Sequence, residues 1–185
     1  LALNLSGNYT IENKNTEDVP TIVVEGAEYD VLDRSNLALM FTSRPKTKWI
    51  LGANYDLDKF GVSLNNTYFG KTTFKQKFMS ENLRTEFIPK VITDLAINFN
   101  ATDKLTIAFN VNNLFNILPE WEFKAENIAG QAIINDTRLT SSGLTQLQNE
   151  SNAITFNQRY SQMTYDGSHF SQLGTMFNLS LNYKF

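Results

Sequence analysis

The chain contains no cysteine, which excludes disulfide cross-links and thiolate metal sites. Histidine occurs once, at His169, and a lone imidazole makes a metal site only with carboxylates that the fold brings to it. No apolar run approaches the roughly 20 residues of a membrane helix. Mean hydropathy is -0.29. Helical spans are thereby excluded, but strands are not, because transmembrane strands alternate and escape hydropathy averaging. Charge is scarce: 19% of the 185 residues are charged, against roughly a quarter in ordinary domains. With a net charge of -3 and a pI near 5.2, the chain has no general basic surplus, so nucleic acid is not an expected partner. There is no GxGxxG phosphate loop, and no Ser-His-Asp set can be argued from sequence order. An enzyme is not expected, nor is a cofactor or a resident metal.

What the chain does have is alternation. From Leu173 to Phe185 every odd position except Thr175 is apolar or aromatic, while the even positions are Gly174, Met176, Asn178, Ser180, Asn182 and Lys184. A period of two predicts a strand with one apolar and one polar face. The same pattern runs through Leu1, Leu3, Leu5, Tyr9 and Ile11, then Trp49, Leu51, Ala53 and Tyr55, then Phe60, Val62, Leu64 and Tyr68. It returns in Val91, Leu95, Ile97 and Phe99, and in Leu105, Ile107, Phe109 and Val111. Leu37, Leu39 and Phe41 suggest a further stretch of strand. The chain opens inside a strand at Leu1, with no initiator Met or signal peptide, which suggests a piece of a longer chain.

The connections sort by length. Asp56–Lys59 and Asn100–Lys104 read as tight turns. Residues 12–42, 70–88 and 117–169 read as long polar loops, the last with one helical turn near Leu144–Asn149. Six antiparallel strands then place both short turns at one end and all three long loops at the other. Transmembrane β-barrels sort their loops in this way, and soluble sandwiches have no reason to. The apolar faces carry no charge. The opposite faces carry mostly Asn, Ser, Thr, Gly and Ala, with an occasional Asp or Lys. Aromatics gather near the strand ends: Tyr55, Phe60, Phe99, Tyr183 and Phe185 by the short turns, and Trp49, Tyr68, Phe69 and Phe115 by the long loops. Two interfacial girdles are expected of such a barrel. The expected fold is therefore all-β, a transmembrane antiparallel barrel segment of about six strands.

Three segments carry a resemblance. Val111-Asn-Asn-Leu-Phe-Asn116, with Asn113, Leu114 and Phe115 at its centre, precedes a long loop and the last strand. Arg44-Pro-Lys-Thr-Lys48 leads into a strand and a short turn, and Leu181-Asn-Tyr-Lys-Phe185 ends the chain. In order and spacing they resemble the last part of TonB-dependent outer-membrane receptors. That resemblance implies the C-terminal strands of a larger, 22-stranded barrel in the Gram-negative outer membrane. It implies energised uptake of a scarce nutrient. The plug domain and TonB-engaging motif of such receptors are not among these residues. Implied partners are outer-membrane lipid, upstream barrel strands and plug, the TonB complex through a region outside this segment, and the barrel-assembly machinery. The assembly signal would comprise Phe177, Leu179, Leu181, Tyr183 and Phe185. Receptors that work with a surface lipoprotein usually follow the NLF segment with a Tyr-Gly-Asp-Pro-Glu-like stretch. Here Ile117-Leu-Pro-Glu-Trp-Glu-Phe123 follows. The departure favours a ferric siderophore or other metal chelate as cargo. The alternative is a scaffold or docking barrel, including glycan or peptide import with a surface lipoprotein.

Candidate ligand contacts in the long loops are Trp121, Arg138, Arg159, Tyr160, Tyr165 and His169. Arginine suits anionic chelates through bidentate hydrogen bonds, and aromatics suit flat organic faces. Tyr165, Asp166 and His169 lie close in sequence and read more simply as a polar junction into the last strand.

Overall fold

A computed structural model describes residues 1–25, 27–76, 78–155 and 170–185. In chain order its elements are β1 (Ala2–Tyr9), β2 (Thr21–Val24), β3 (Ala27–Asp30), α1 (Arg34–Phe41), β4 (Thr47–Leu57), β5 (Phe60–Phe69) and β6 (Thr72–Phe74). There follow β7 (Leu83–Phe87), β8 (Lys90–Asn100), β9 (Leu105–Asn112), β10 (Trp121–Ala125), α2 (Ile128–Asn135), α3 (Gln146–Thr155) and β11 (Met176–Tyr183). The protein is predominantly β, and its sheets are antiparallel. The largest sheet runs in the order β1-β4-β5-β8-β9-β11. It is open: β1 and β11 each present one edge without a strand partner, and no closed barrel forms among the described residues.

The register explains why these residues make this sheet. One row across it reads Leu57, Phe60, Phe99, Ile107 and Leu181. The next reads Tyr55, Val62, Ile97, Phe109 and Leu179, and the one after it Leu3, Ala53, Leu64, Leu95, Val111 and Phe177. Because the side-chain period is two, a one-residue slip in any strand would move its apolar set to the other face. Every strand therefore agrees on the same register. Both tight turns are built as expected. Asp58 takes a left-handed φ of 49° in the two-residue β4–β5 connection, a conformation Asp tolerates better than most residues. In the β8–β9 turn the Thr102 hydroxyl accepts hydrogen bonds from the Lys104 and Leu105 N–H groups, at 3.2 and 3.0 Å.

The long connections depart from the expected polar loops. The second and third of them, with α1 of the first, fold into a second, smaller unit, a cap at the far end of the sheet. In it β10-β7-β6 form a three-stranded sheet. Phe74, Met79, Leu83 and Phe87 pack with Ile133 of α2 and Ile154 of α3, while Trp121, Phe123, Ile134 and Leu147 close around them. Leu83 and Phe87 are wholly buried. The Glu150 carboxylate accepts a hydrogen bond from the Ser80 N–H at 2.8 Å, tying α3 to the turn before β7.

The stretch 37–41, expected as strand, is α1. Asp33 caps it, its carboxylate accepting the Asn36 N–H at 2.8 Å. N-capping and i, i+4 spacing of Leu37 and Phe41 outweigh the local alternation. The hairpin β2–β3 was not expected at all. The helical turn expected at Leu144–Asn149 is the start of α3, which runs on to Thr155. The final strand begins at Met176 rather than Leu173, because Gly174 sits at φ 73° and breaks the extended path.

Candidate functional site

The large sheet has an inverted burial pattern. Leu3 is 70% exposed, Phe177 70% and Leu179 66%, while Leu51, Leu57, Phe60 and Leu181 are also exposed. All lie on one face. Each such side chain would gain about 1.5–3 kcal/mol on being covered. From the Leu57 row to the Trp49–Tyr68–Val91 row this face carries no charged residue. Its two facing polar side chains in the interior, Asn66 and Thr93, are bonded to each other: the Thr93 hydroxyl donates to the Asn66 amide oxygen at 2.7 Å. The central strands β4, β5 and β8 have 11, 10 and 11 residues, and about 9–11 tilted residues cross a bilayer.

Aromatic side chains border this band. At the short-turn end Phe60 stacks on Phe99 with ring centroids 4.5 Å apart, and Tyr183 meets Phe185 edge to face at 5.2 Å. At the opposite end Trp49 lies flat across Gly7, where any Cβ would overlap the indole. The expected girdle needs one correction. Phe69 pairs across from Lys48 and Lys90, so it belongs to the other face, where it meets Phe170 at 5.5 Å and carries the Lys48 ammonium 4.9 Å from its centroid. Phe177, Leu179, Leu181 and Tyr183 do share the exposed face, and Phe185 lies just past the end of β11.

The second face is a lattice of small polar groups. Asn4, Gly52, Asn65 and Asp94 form one row, and Asn54, Ser63, Ala96, Asn110 and Asn178 another. The Ser63 hydroxyl donates to the Asn54 amide oxygen at 2.6 Å. Near the cap a hollow of about 270 Å³ is lined by Thr67, Asp94, Asn113 and Phe170, among others.

Asn113, Leu114 and Phe115 occupy the junction between β9 and the last strand. Asn113 and Asn116 both adopt left-handed φ, at 54° and 53°. The Asn113 side chain closes a turn on Ile117, accepting its N–H at 2.8 Å and donating to its carbonyl at 2.7 Å. The Asn113 N–H reaches the Asp94 carboxylate at 2.8 Å, and the Leu114 N–H reaches the Thr93 carbonyl at 2.7 Å. Thr175 hydrogen-bonds Asn113 and Asn116 through its hydroxyl and N–H. The segment is thus a lock joining β8, β9 and the approach to β11. Phe115 projects into solvent.

The expected ligand contacts do not converge. Trp121 lies in β10 against the cap core, edge to face with Phe123 at 5.2 Å. Arg138 follows α2 and is already engaged: its guanidinium donates to Asp136 at 2.9 and 2.7 Å. The Arg138 side-chain hydrogen bond, helped by its backbone N–H and its charge, lowers the Asp136 carboxyl to about 2. Arg159, Tyr160, Tyr165 and His169 lie outside the described residues, as does Asp166.

Sequence reading missed a basic cleft of about 460 Å³ at the rim between sheet and cap, lined by Tyr9, Arg44, Lys46, Lys71, Arg84 and Glu86, among others. Four distant segments meet there, so no local spacing marks it. Compared with family models, curated proteins and solved structures, the chain finds no match.

Proposed function

We propose that this chain forms part of the wall and the external loops of an outer-membrane transporter barrel of the TonB-dependent kind, which takes up a scarce nutrient such as a ferric siderophore or another metal chelate. The observation that carries the reading is the uncharged, exposed apolar band bordered by aromatics, on a sheet whose opposite face is a lattice of amides and hydroxyls. Lipid covers the first face, and a polar lumen suits the second. The sorting of the two tight turns to one end and the cap to the other supports the same orientation. Unpaired strand edges cannot stand in lipid, so further strands of a larger barrel pair with β1 and β11. The Asn113 lock and the terminal run to Phe185 support the TonB-dependent assignment by resemblance. In this reading Phe177, Leu179, Leu181, Tyr183 and Phe185 form the surface read by the assembly machinery.

The packed cap favours a second reading as well. Its buried core makes it a stiff platform, which suits a barrel that docks a surface lipoprotein or another envelope subunit. Two experiments separate these readings. Recovery of the full-length protein in a soluble fraction would defeat both. Recovery in the outer membrane, with chelate uptake lost when TonB is removed, supports transport; unchanged uptake leaves the docking reading. Deleting Phe185 is expected to reduce assembled barrel while synthesis continues, and normal assembly would remove the signal role.

A further inference from the structure

The basic cleft has a definite place relative to the apolar band. Tyr9 and Thr47 pair across β1 and β4 on the apolar side of the sheet, one row beyond Gly7 and Trp49. Gly70, whose N–H donates to the Thr47 carbonyl at 2.8 Å, continues the row beyond Tyr68. These residues form one wall of the cleft, and Arg44, Lys46, Lys71, Arg84 and Glu86 supply its charges. Four cations face one carboxylate, an excess of positive charge in a chain that is acidic as a whole. Glu86 is shared by Lys71 at 3.1 Å and Arg84 at 4.0 Å, and Arg84 also reaches Glu126 at 3.5 Å. Arg44 and Lys46 are exposed, and neither has a carboxylate within ion-pairing distance among the described residues. Thr42 and Thr73 add hydroxyls to the lining.

Cations that start where an uncharged band stops, beyond a Trp–Tyr border, match an amphiphile with an anionic head and apolar tails. We propose that this cleft seats the phosphorylated headgroup of a lipid in the leaflet on the long-connection side, with the lipid's acyl chains lying along the Trp49, Leu51 and Leu5 surface. Arg44 and Lys46 supply the uncommitted charge, and Arg44 can hold a phosphate through two parallel N–H bonds. This inference rests on the membrane reading of the apolar face.

The test compares the full-length protein with its Arg44→Gln/Lys46→Gln variant in detergent, and measures retention of lipid A by native mass spectrometry. Arg138→Gln, away from the cleft, is the control. The expected result is about tenfold weaker retention in the double variant, from two cations near a lipid phosphate. Dephosphorylated lipid A should be retained poorly by all three proteins. Equal retention by the double variant and the native protein overturns the proposal. So does full competition by millimolar inorganic phosphate, which would make the cleft a site for free anions. Fractionation of the same proteins keeps the two readings apart. A variant that assembles in the membrane yet retains lipid A normally refutes the cleft alone, whereas native protein that never enters the membrane refutes the reading beneath it.

Discussion

The large sheet and the cap solve opposite problems with similar residues. The cap alternates Leu83, Thr85 and Phe87 against Arg84 and Glu86, and turns the first set onto a helical core while the second forms half-buried ion pairs with Lys71 and Glu126. The sheet alternates just as regularly, yet its Leu and Phe side chains stand uncovered and its opposite face holds mostly amides and hydroxyls, with few charges such as Lys48, Lys90 and Asp94. The cap accordingly carries Lys71, Lys75, Lys124, Glu86, Glu122 and Glu126 off its apolar core, joined by ion pairs. Where water is the solvent, charge goes outward; in the sheet it is confined to the amide face and missing from the exposed apolar one, which is the pattern the membrane proposal accounts for. The same chain contains both patterns, so composition alone cannot account for the difference.

The largest expected effect lies in the cap. Phe87→Ala removes a fully buried ring and should cost about 3–5 kcal/mol. Hydrogen exchange should quicken through β7, β10 and α2, while β5 and β8 stay protected. Loss of protection in both regions together would show one cooperative unit instead of two. Next comes Leu64→Arg, in the middle row of the apolar band. In a bilayer it should cost about 2–4 kcal/mol, measured by denaturant titration of the vesicle-inserted barrel. A cost no greater than that of Ser63→Lys on the opposite face would erase the contrast between the faces. Asn113→Ala should cost about 1–3 kcal/mol, through two lost hydrogen bonds and a left-handed φ that Ala disfavours, seen as a lower midpoint in the same titration.

The smallest effect is that of pH on the cap. The Asp136 carboxyl titrates near 2 when folded, against 3.8 for the free group, because Arg138 holds it. A depressed carboxyl contributes stability above the unfolded value and loses it as pH falls through the folded one. The contribution should therefore be complete above about pH 4 and gone below about pH 2. In Asp136→Asn that part of the acid response should disappear from a thermal-unfolding series. The pair is exposed, so the change should be modest.

Much of the sheet was legible because strand and face share a period of two, and every strand repeats it. The register was constrained only to even shifts, since a one-residue slip turns an apolar set over but a two-residue slip does not; the two tight turns fix it for β4–β5 and β8–β9. The cap was legible in part and overlooked. Leu83-Arg-Thr-Glu-Phe87 and Trp121-Glu-Phe-Lys-Ala125 alternate as clearly as β4 does, but they are five residues long and sit among Lys, Asn and Ser. Helix α1 was hidden because Leu37, Leu39 and Phe41 also fit a strand; the Asp33 cap was the deciding signal. The Asn113 segment stood out by its residues, but its locking role depends on Asp94 and Thr175, which only the fold brings near. The cleft depends on the β1–β4 pairing and on β6 and β7 reaching the same rim, which no local pattern reveals.

The chain has no cysteine, so introduced thiols can be labelled singly against an empty background. Nitroxide labels placed one at a time at Leu51, Leu64, Phe109 and Leu179, and at Ser63, Asn110 and Ser180, test the central claim most directly in the vesicle-inserted protein. Collisions with oxygen should dominate at the first set, and collisions with a water-soluble nickel chelate at the second, in strict alternation along each strand. Equal access of the nickel chelate to both sets would mean that water bathes both faces, and would contradict the membrane account.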